Sequence, residues 1–334
     1  MSAGRLTWPE GKKFAFTVVD DTDFASLRSV KPVYDFLADC GLRTTKTVWP
    51  LRPTVKGRVG GTTLEDAEYR EWIYSLQKRG VEIALHGISD CSSPRERVQR
   101  GLDYFRDVLG KDPVLHANHL GQGEGIYWGP ERLDGSLSWL YRAYRRMREP
   151  LQYDGARPDS PRFWGDLCLG RIKYVRNFVF QDINTLKMDP LMPYHDPRRP
   201  YVQHWFSSSN GDGPEAFCRL LSEGNQDRLE DEGGACIVYT HFGVAFHRLP
   251  SEFRRLVARL SRKAGWFVPA TPLLDYIGEQ REWPVVGEDR ATLTRMQWRW
   301  ACERTAVRVR KALAAPAPSP IPDHAWKTRS VGHG

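Results

Sequence analysis

Short apolar runs rich in β-branched and aromatic residues recur along the chain, and most are followed by a stretch with apolar residues at helical spacing. This alternation constrains the fold more than any other feature, because β-then-α repetition argues for a parallel sheet covered by helices. Residues 14–19 (Phe-Ala-Phe-Thr-Val-Val) read as a buried strand, and 31–40 as a helix with Gly41 behind it. Residues 44–49 give a second strand. Thr63-Leu-Glu-Asp66 resembles a capping box that opens a helix through Tyr69, Trp72, Ile73 and Leu76, closed by Gly80. Residues 81–85 form a third strand. Ser93-Pro-Arg-Glu96 marks a helix start with Ser93 as the cap, and 113–118 a fourth strand. Further on, 175–180, 202–206, 235–240 and 266–268 read as strands. Residues 137–147, 213–223, 251–263 and a short segment from 272 read as helices.

About seven such units predict a distorted (β/α) barrel of parallel strands, with an open doubly wound sheet as the competing architecture. The expected layout is a barrel over 1–285, a basic amphipathic helix over 286–313, and a disordered Ala/Pro tail over 314–334. No stretch approaches 18 consecutive apolar residues, so no transmembrane helix is expected. The run at 14–19 is too short for the core of a signal peptide, and the expected location is cytoplasmic. The six cysteines are scattered without a Cys-x-x-Cys pair, which excludes a zinc ribbon and predicts free thiols. The net charge of +8 is concentrated in residues 290–311. A solvated basic helix explains this, and weak contact with an anionic membrane surface is the functional reading; nucleic acid is not an expected partner.

In a barrel, polar residues at the C-terminal ends of the strands face one mouth. Here the first strand runs into Asp20-Asp21-Thr22-Asp23, and the third into His86-Gly-Ile-Ser-Asp90. The fourth runs into His116-Ala-Asn118-His119, and a late strand into Thr240-His241. Four distant strands delivering acids and imidazoles to one relative place are hard to explain as packing, since burying such groups without partners is costly. Adjacent carboxylates divide naturally into a metal ligand and a base, and a separate histidine can protonate a leaving group. Asp and His suit zinc, manganese, cobalt or nickel. The pattern predicts a metal-assisted hydrolase.

Val18-Val19-Asp20-Asp21-Thr22, Glu82-Ile-Ala-Leu-His86 and Val238-Tyr-Thr-His241 together resemble the motifs of the polysaccharide deacetylase superfamily, the NodB-homology carbohydrate esterases. The resemblance spans roughly residues 12–277 and implies a distorted barrel, a divalent metal (zinc first) and deacetylation of an N-acetylated sugar or glycan precursor. It assigns Asp20 as general base, Asp21 and His86 as metal ligands, and His241 as general acid. The family's second histidine ligand falls at Asp90 here, which makes Asp90 the expected third ligand, with His119 and His116 as competitors. The sequence departs from the family in having Thr22 for glycine and an extra acid, Asp23. The family's Arg-x-Pro-Tyr motif has no counterpart, and Asp182 and Asp212 are the candidates to orient His241.

Around these groups, Asn118, His119, Tyr127, Trp128 and Trp49 are expected to touch a carbohydrate substrate, because aromatic faces pack against the C–H faces of sugars. The glycine-rich stretch 121–129 lacks the strand-to-helix context of a dinucleotide site and reads as an active-site loop. No Gly-x-Ser-x-Gly elbow and no Walker A sequence occurs. Two alternatives stay open: a glycoside hydrolase working through paired acids on the same barrel, and a carbohydrate-binding barrel that has lost full metal ligation.

Overall fold

The structure is a computed structural model and describes residues 6–146, 152–287 and 290–313. Its strands are β1 (Phe14–Asp20), β2 (Thr45–Val48), β3 (Glu82–Leu85), β4 (Leu115–Ala117), β5 (Tyr174–Phe180), β6 (His204–Asn210), β7 (Ala235–Thr240) and β8 (Gly265–Phe267). The helices are α1 (Leu27–Asp39), α2 (Ala67–Lys78), α3 (Arg95–Leu109), α4 (Gly135–Arg146), α5 (Gly165–Arg171) and α6 (Thr185–Met188). They continue with α7 (Gly213–Leu220), α8 (Glu223–Glu232), α9 (Ser251–Ser261), α10 (Ala270–Gln280) and α11 (Ala291–Leu313).

All strand pairs are parallel, and β1 to β7 close into a ring through β1–β2. The expected barrel of seven parallel strands is therefore present. The distortion lies at β1. Its upper end pairs with β2 (Val19↔Thr45, Asp20↔Lys46), whereas its lower end pairs with β8 (Phe14↔Gly265, Ala15↔Trp266, Phe16↔Phe267). Helix α10 closes the bottom, its first residues donating to Thr45 Oγ1 and to the Glu82 carboxylate.

Alternation along the strands sorts side chains into two cores. Ala15, Val19, Ala84, Leu115, Tyr174, Phe206, Ala235 and Ile237 fill the barrel and meet Leu273, Leu274 and Ile277 of α10. Phe14, Phe16, Val18, Val48, Ile83, Leu85, Val175, Trp205, Cys236 and Val238 point out to the helices. The same parity carries on past the strand ends, where the polar residues begin.

Three expected helices differ in detail. Asp66 is the N-cap of α2, and its Oδ2 accepts from Thr63 N and Oγ1, so the box runs backward from the acid. Pro94, not Ser93, is the N-cap of α3, and Ser93 Oγ donates to Cys91 O. The helix expected over 213–223 breaks at Leu221, and α8 follows. Helices α5 and α6 were not anticipated, being too short to show a period. The expected helix over 137–147 is observed as α4, though Met147 lies outside the described residues, as does the tail 314–334.

Helix α11 packs on β5 through Trp300, whose ring lies 5.3 Å from Phe178. The Arg132 guanidinium sits between the rings of Trp128 and Trp300, at 4.1 and 4.5 Å. Arg290 bonds both Asp134 and Asp196, so it is an anchor of this helix rather than part of a free basic surface. All six cysteines are free. Among the described residues no helix is long and apolar enough to cross a membrane.

Candidate metal centre

The mouth residues are set by inward parity. Asp21 continues the row Ala15, Thr17, Val19, and its N–H donates to Thr240 O at 2.8 Å, extending the β1–β7 ladder by one step. His86 continues Glu82 and Ala84, while Arg176 follows Tyr174 and His241 follows Ile237 and Tyr239. Beyond β1 the chain turns at Thr22, whose carbonyl accepts from Ala25 N, and this brings Asp23 back over the opening. Trp49, fully buried, donates from Nε1 to His86 O at 2.9 Å and stacks on the His86 ring. His119 meets both rings edge-on, at 5.7 Å from Trp49 and 5.1 Å from His86.

Asp23, His86 and His119 converge, their ligand-type atoms all lying within 4.8 Å of one another. Asp23 Oδ1 is 3.0 Å from His86 Nε2 and 3.3 Å from His119 Nε2. Asp23 Oδ1, both His86 nitrogens and His119 Nδ1 are nevertheless buried without hydrogen-bond geometry to any partner. Buried polar atoms are almost always hydrogen-bonded, so orphaned atoms clustered this way need an explanation. One carboxylate oxygen and two imidazole nitrogens suit a first-row divalent cation that keeps open positions. The residues therefore fit a metal. Burial pushes the Asp23 carboxyl up, but the three surrounding imidazoles more than offset it and hold the group well below the usual carboxylate range.

Two further pairs flank this trio. Arg176 grips Asp21 with both terminal nitrogens, Nη1 at 2.9 Å from Oδ1 and Nη2 on Oδ2, and its guanidinium lies 4.7 Å over the Tyr239 ring. Burial raises the Asp21 carboxyl, and Arg176 and then His86 outweigh it, so the acid titrates below its ordinary value. His241 holds Asp212 Oδ1 through Nδ1 at 2.7 Å and faces Asp23 Oδ2 through Nε2 at 3.2 Å. Burial lowers the His241 pKa, but the carboxylates of Asp212 and Asp23 lift it to about 10.

The other sequence candidates lie elsewhere. Asp20 points outward, away from the opening. It pairs with Lys46 at 2.8 Å and accepts from Tyr34 Oη at 3.0 Å and Phe242 N at 2.7 Å. Asp90 is outside the trio: its Oδ2 accepts from Val59 N and Gly60 N at 2.8 and 2.6 Å and so pins the loop after β2. Asp23 and His119 thus lie nearest the His86 ring; Asp21, expected as a ligand, is held by Arg176 with Oδ2 3.8 Å from His86 Nδ1, and for the third position the competitor His119, not Asp90, reaches the cluster. His116 also points outward, and burial drives its pKa down to about 3. Asn118 is committed to the glycine-rich loop, accepting from Ile126 N and donating to Ile126 O. Tyr127 stacks on Tyr201, and Trp128 lies under Arg132. Of the two candidates for orienting His241, Asp212 is at its ring and Asp182 pairs with Arg228. Arg176 was missed altogether. Its signal was a lone charge inside a mostly apolar, buried strand, Tyr174-Val-Arg-Asn-Phe-Val-Phe180.

No protein-family model matches the sequence, and no curated protein does. Solved structures do resemble the fold. A crystal structure assigned as a polysaccharide deacetylase from Mycobacterium smegmatis superposes with a TM-score of 0.51 at 14% identity, covering 86% of this chain and 98% of its own. A structure assigned likewise from Pseudomonas aeruginosa PAO1 has a TM-score of 0.47 at 12% identity, covering 81% of this chain and 93% of its own. A family 4 acetyl xylan esterase from Clostridium thermocellum, solved with a cobalt ion, has a TM-score of 0.41 at 13% identity over 81% of this chain and 93% of its own. The first of these likenesses sets the fold among those of polysaccharide deacetylases.

Proposed function

We propose that the protein is a metal-dependent hydrolase that removes the acetyl group from an N-acetylated sugar or glycan precursor. The observation that carries this is the meeting of Asp23, His86 and His119 with unsatisfied buried ligand atoms, between an arginine-held acid and a carboxylate-held histidine. A divalent cation held by Asp23, His86 and His119 would polarise the acyl carbonyl and lower the pKa of a coordinated water. Asp21, kept ionised by Arg176, is positioned to take a proton from the attacking water. His241, oriented and kept protonated by Asp212, donates a proton to the departing amine. Arg176 fixes the orientation of the Asp21 carboxylate by bonding both of its oxygens. Asp20 and Asp90, bonded elsewhere, take no part.

Zinc is the metal expected first for one carboxylate and two imidazoles. The test is elemental analysis of purified protein together with acetate release from N-acetylglucosamine oligosaccharides. The expected result is about one equivalent of metal and acetate release that chelation stops and added metal restores. Full activity after complete removal of metal would sink the proposal.

A further inference from the structure

Phe24 follows the proposed ligand Asp23 directly, has a φ of 59° and is 42% exposed. A bulky aromatic in the left-handed region is a conformational outlier, and such strain persists only where the surroundings enforce it. Here they do. A Cβ on Gly243 would come within 2.6 Å of Asp23 O, and one on Gly61 would lie 3.0 Å from Thr22 O, so two bare backbones clamp the turn. Phe24 N also donates to Gly60 O at 2.8 Å. The residue is thus held in a costly backbone conformation while a large part of its side chain stays exposed. Leu120, next to His119, is 47% exposed, and Val55, in the loop after β2, is 66% exposed. All three lie on loops at the C-terminal ends of strands that frame the site.

We infer that Phe24, on the loop after β1, with exposed Leu120 and Val55 on the loops after β4 and β2, is the platform on which the C–H face of a sugar ring rests while its N-acyl group enters the mouth. Aromatic rings take up such faces, and exposed apolar side chains on the loops around a polar centre are suited to a ligand surface. The inference rests on the deacetylase reading and deepens it, making Phe24 a specificity residue rather than part of the acid–base machinery. The clamped backbone fixes the position of Phe24 on its loop before the sugar arrives, which reduces the ordering cost of binding.

Calorimetric titration of the metal-loaded His241→Asn protein with the N-acetylglucosamine tetramer provides the test, because turnover is then suppressed. Adding Phe24→Gly or Phe24→Ala should weaken binding about tenfold, and Phe24→Trp should restore it. Phe24→Gly should leave the thermal midpoint unchanged or raised, since glycine adopts this φ without strain. A glycine variant that binds like its parent would overturn the platform. So would affinity lost only together with stability, or tighter binding of an N-hexanoyl glucosamine than of the tetramer. Failure of the deacetylase reading shows separately, as absent acetate release from the unmodified protein while tetramer binding still depends on Phe24.

Discussion

Two buried acids sit side by side at the end of β1, and each is paired with a cation from another strand. Asp20 faces the helices and is closed in by Lys46, Tyr34 and the Phe242 amide, with no exposed surface. Asp21 faces the lumen, is held by Arg176 and borders His86 at 3.8 Å. The chemistry of the two pairs is nearly the same, but their surroundings are not. Asp20 has its acceptor oxygens satisfied locally and can offer nothing to a substrate. Asp21 adjoins a cluster of atoms that lack partners. Strand alternation alone sends one carboxylate to structure and the other to the mouth.

The largest effects should come from breaking the lumen side. His119→Ala should reduce bound metal to background and acetate release by at least about a thousandfold. Asp90→Asn should keep both, with elemental analysis and an acetate assay as the readouts. Metal retained in His119→Ala and lost in Asp90→Asn would reverse the assignment. Asp21→Asn comes next. Loss of a proton acceptor should lower kcat by about a hundredfold or more while metal content stays near one equivalent. It also leaves Arg176 facing a neutral group, so rates must be taken per folded molecule.

Much of this was legible in the sequence. Every strand of the barrel was anticipated within a few residues, because each is a short apolar run closed by a turn. The four strand ends that supply the mouth were readable for the same reason, as was His241. The split between Asp20 and Asp21 was also readable in principle: Phe16 and Val18 share parity with Asp20, and Ala15 and Val19 with Asp21. Lys46 and Arg176 signalled themselves as single charges within buried strands. The membership of the trio was less legible: His119 was readable only as a competitor to Asp90 and Asp23 only as an extra acid, because all three lie beyond strand ends. There the path of the loop, not a two-residue period, decides where a side chain points. Asp90 has a ligand-like spacing from His86, yet its carboxylate serves the backbone of residues 59 and 60.

The outer pair gives a smaller effect, of a different kind. Lys46→Met removes the cation beside a fully buried carboxylate and should cost about 3–5 kcal/mol of folding stability. The double replacement Asp20→Asn with Lys46→Met should recover much of this, since no charge is then left uncompensated. Urea denaturation measures both. Acetate release per folded molecule should change little in either. A loss of turnover matching that of Asp21→Asn would mean that the two acids are not divided as their parity implies.

Asp189 extends the comparison to a buried acid with no ion pair among the described residues. Its Oδ2 accepts from Ser207 Oγ at 2.6 Å, and burial lifts its pKa to about 6 despite that bond and the charge of Arg281. The folded chain therefore keeps this proton to higher pH than the unfolded chain, whose carboxyl titrates near the ordinary 3.8. Stability from this group is fully present below about pH 4, falls as the pH rises from there to about 6, and is level above that. A shift of this size corresponds to about 3 kcal/mol at most. Asp189→Asn, neutral at every pH, should lack this slope. Unfolding free energies of the two proteins, measured from pH 3.5 to 7.5, should diverge by up to that amount in favour of the asparagine variant. A constant difference across the range would mean that Asp189 is ionised in the fold, held by hydroxyl and amide donors alone.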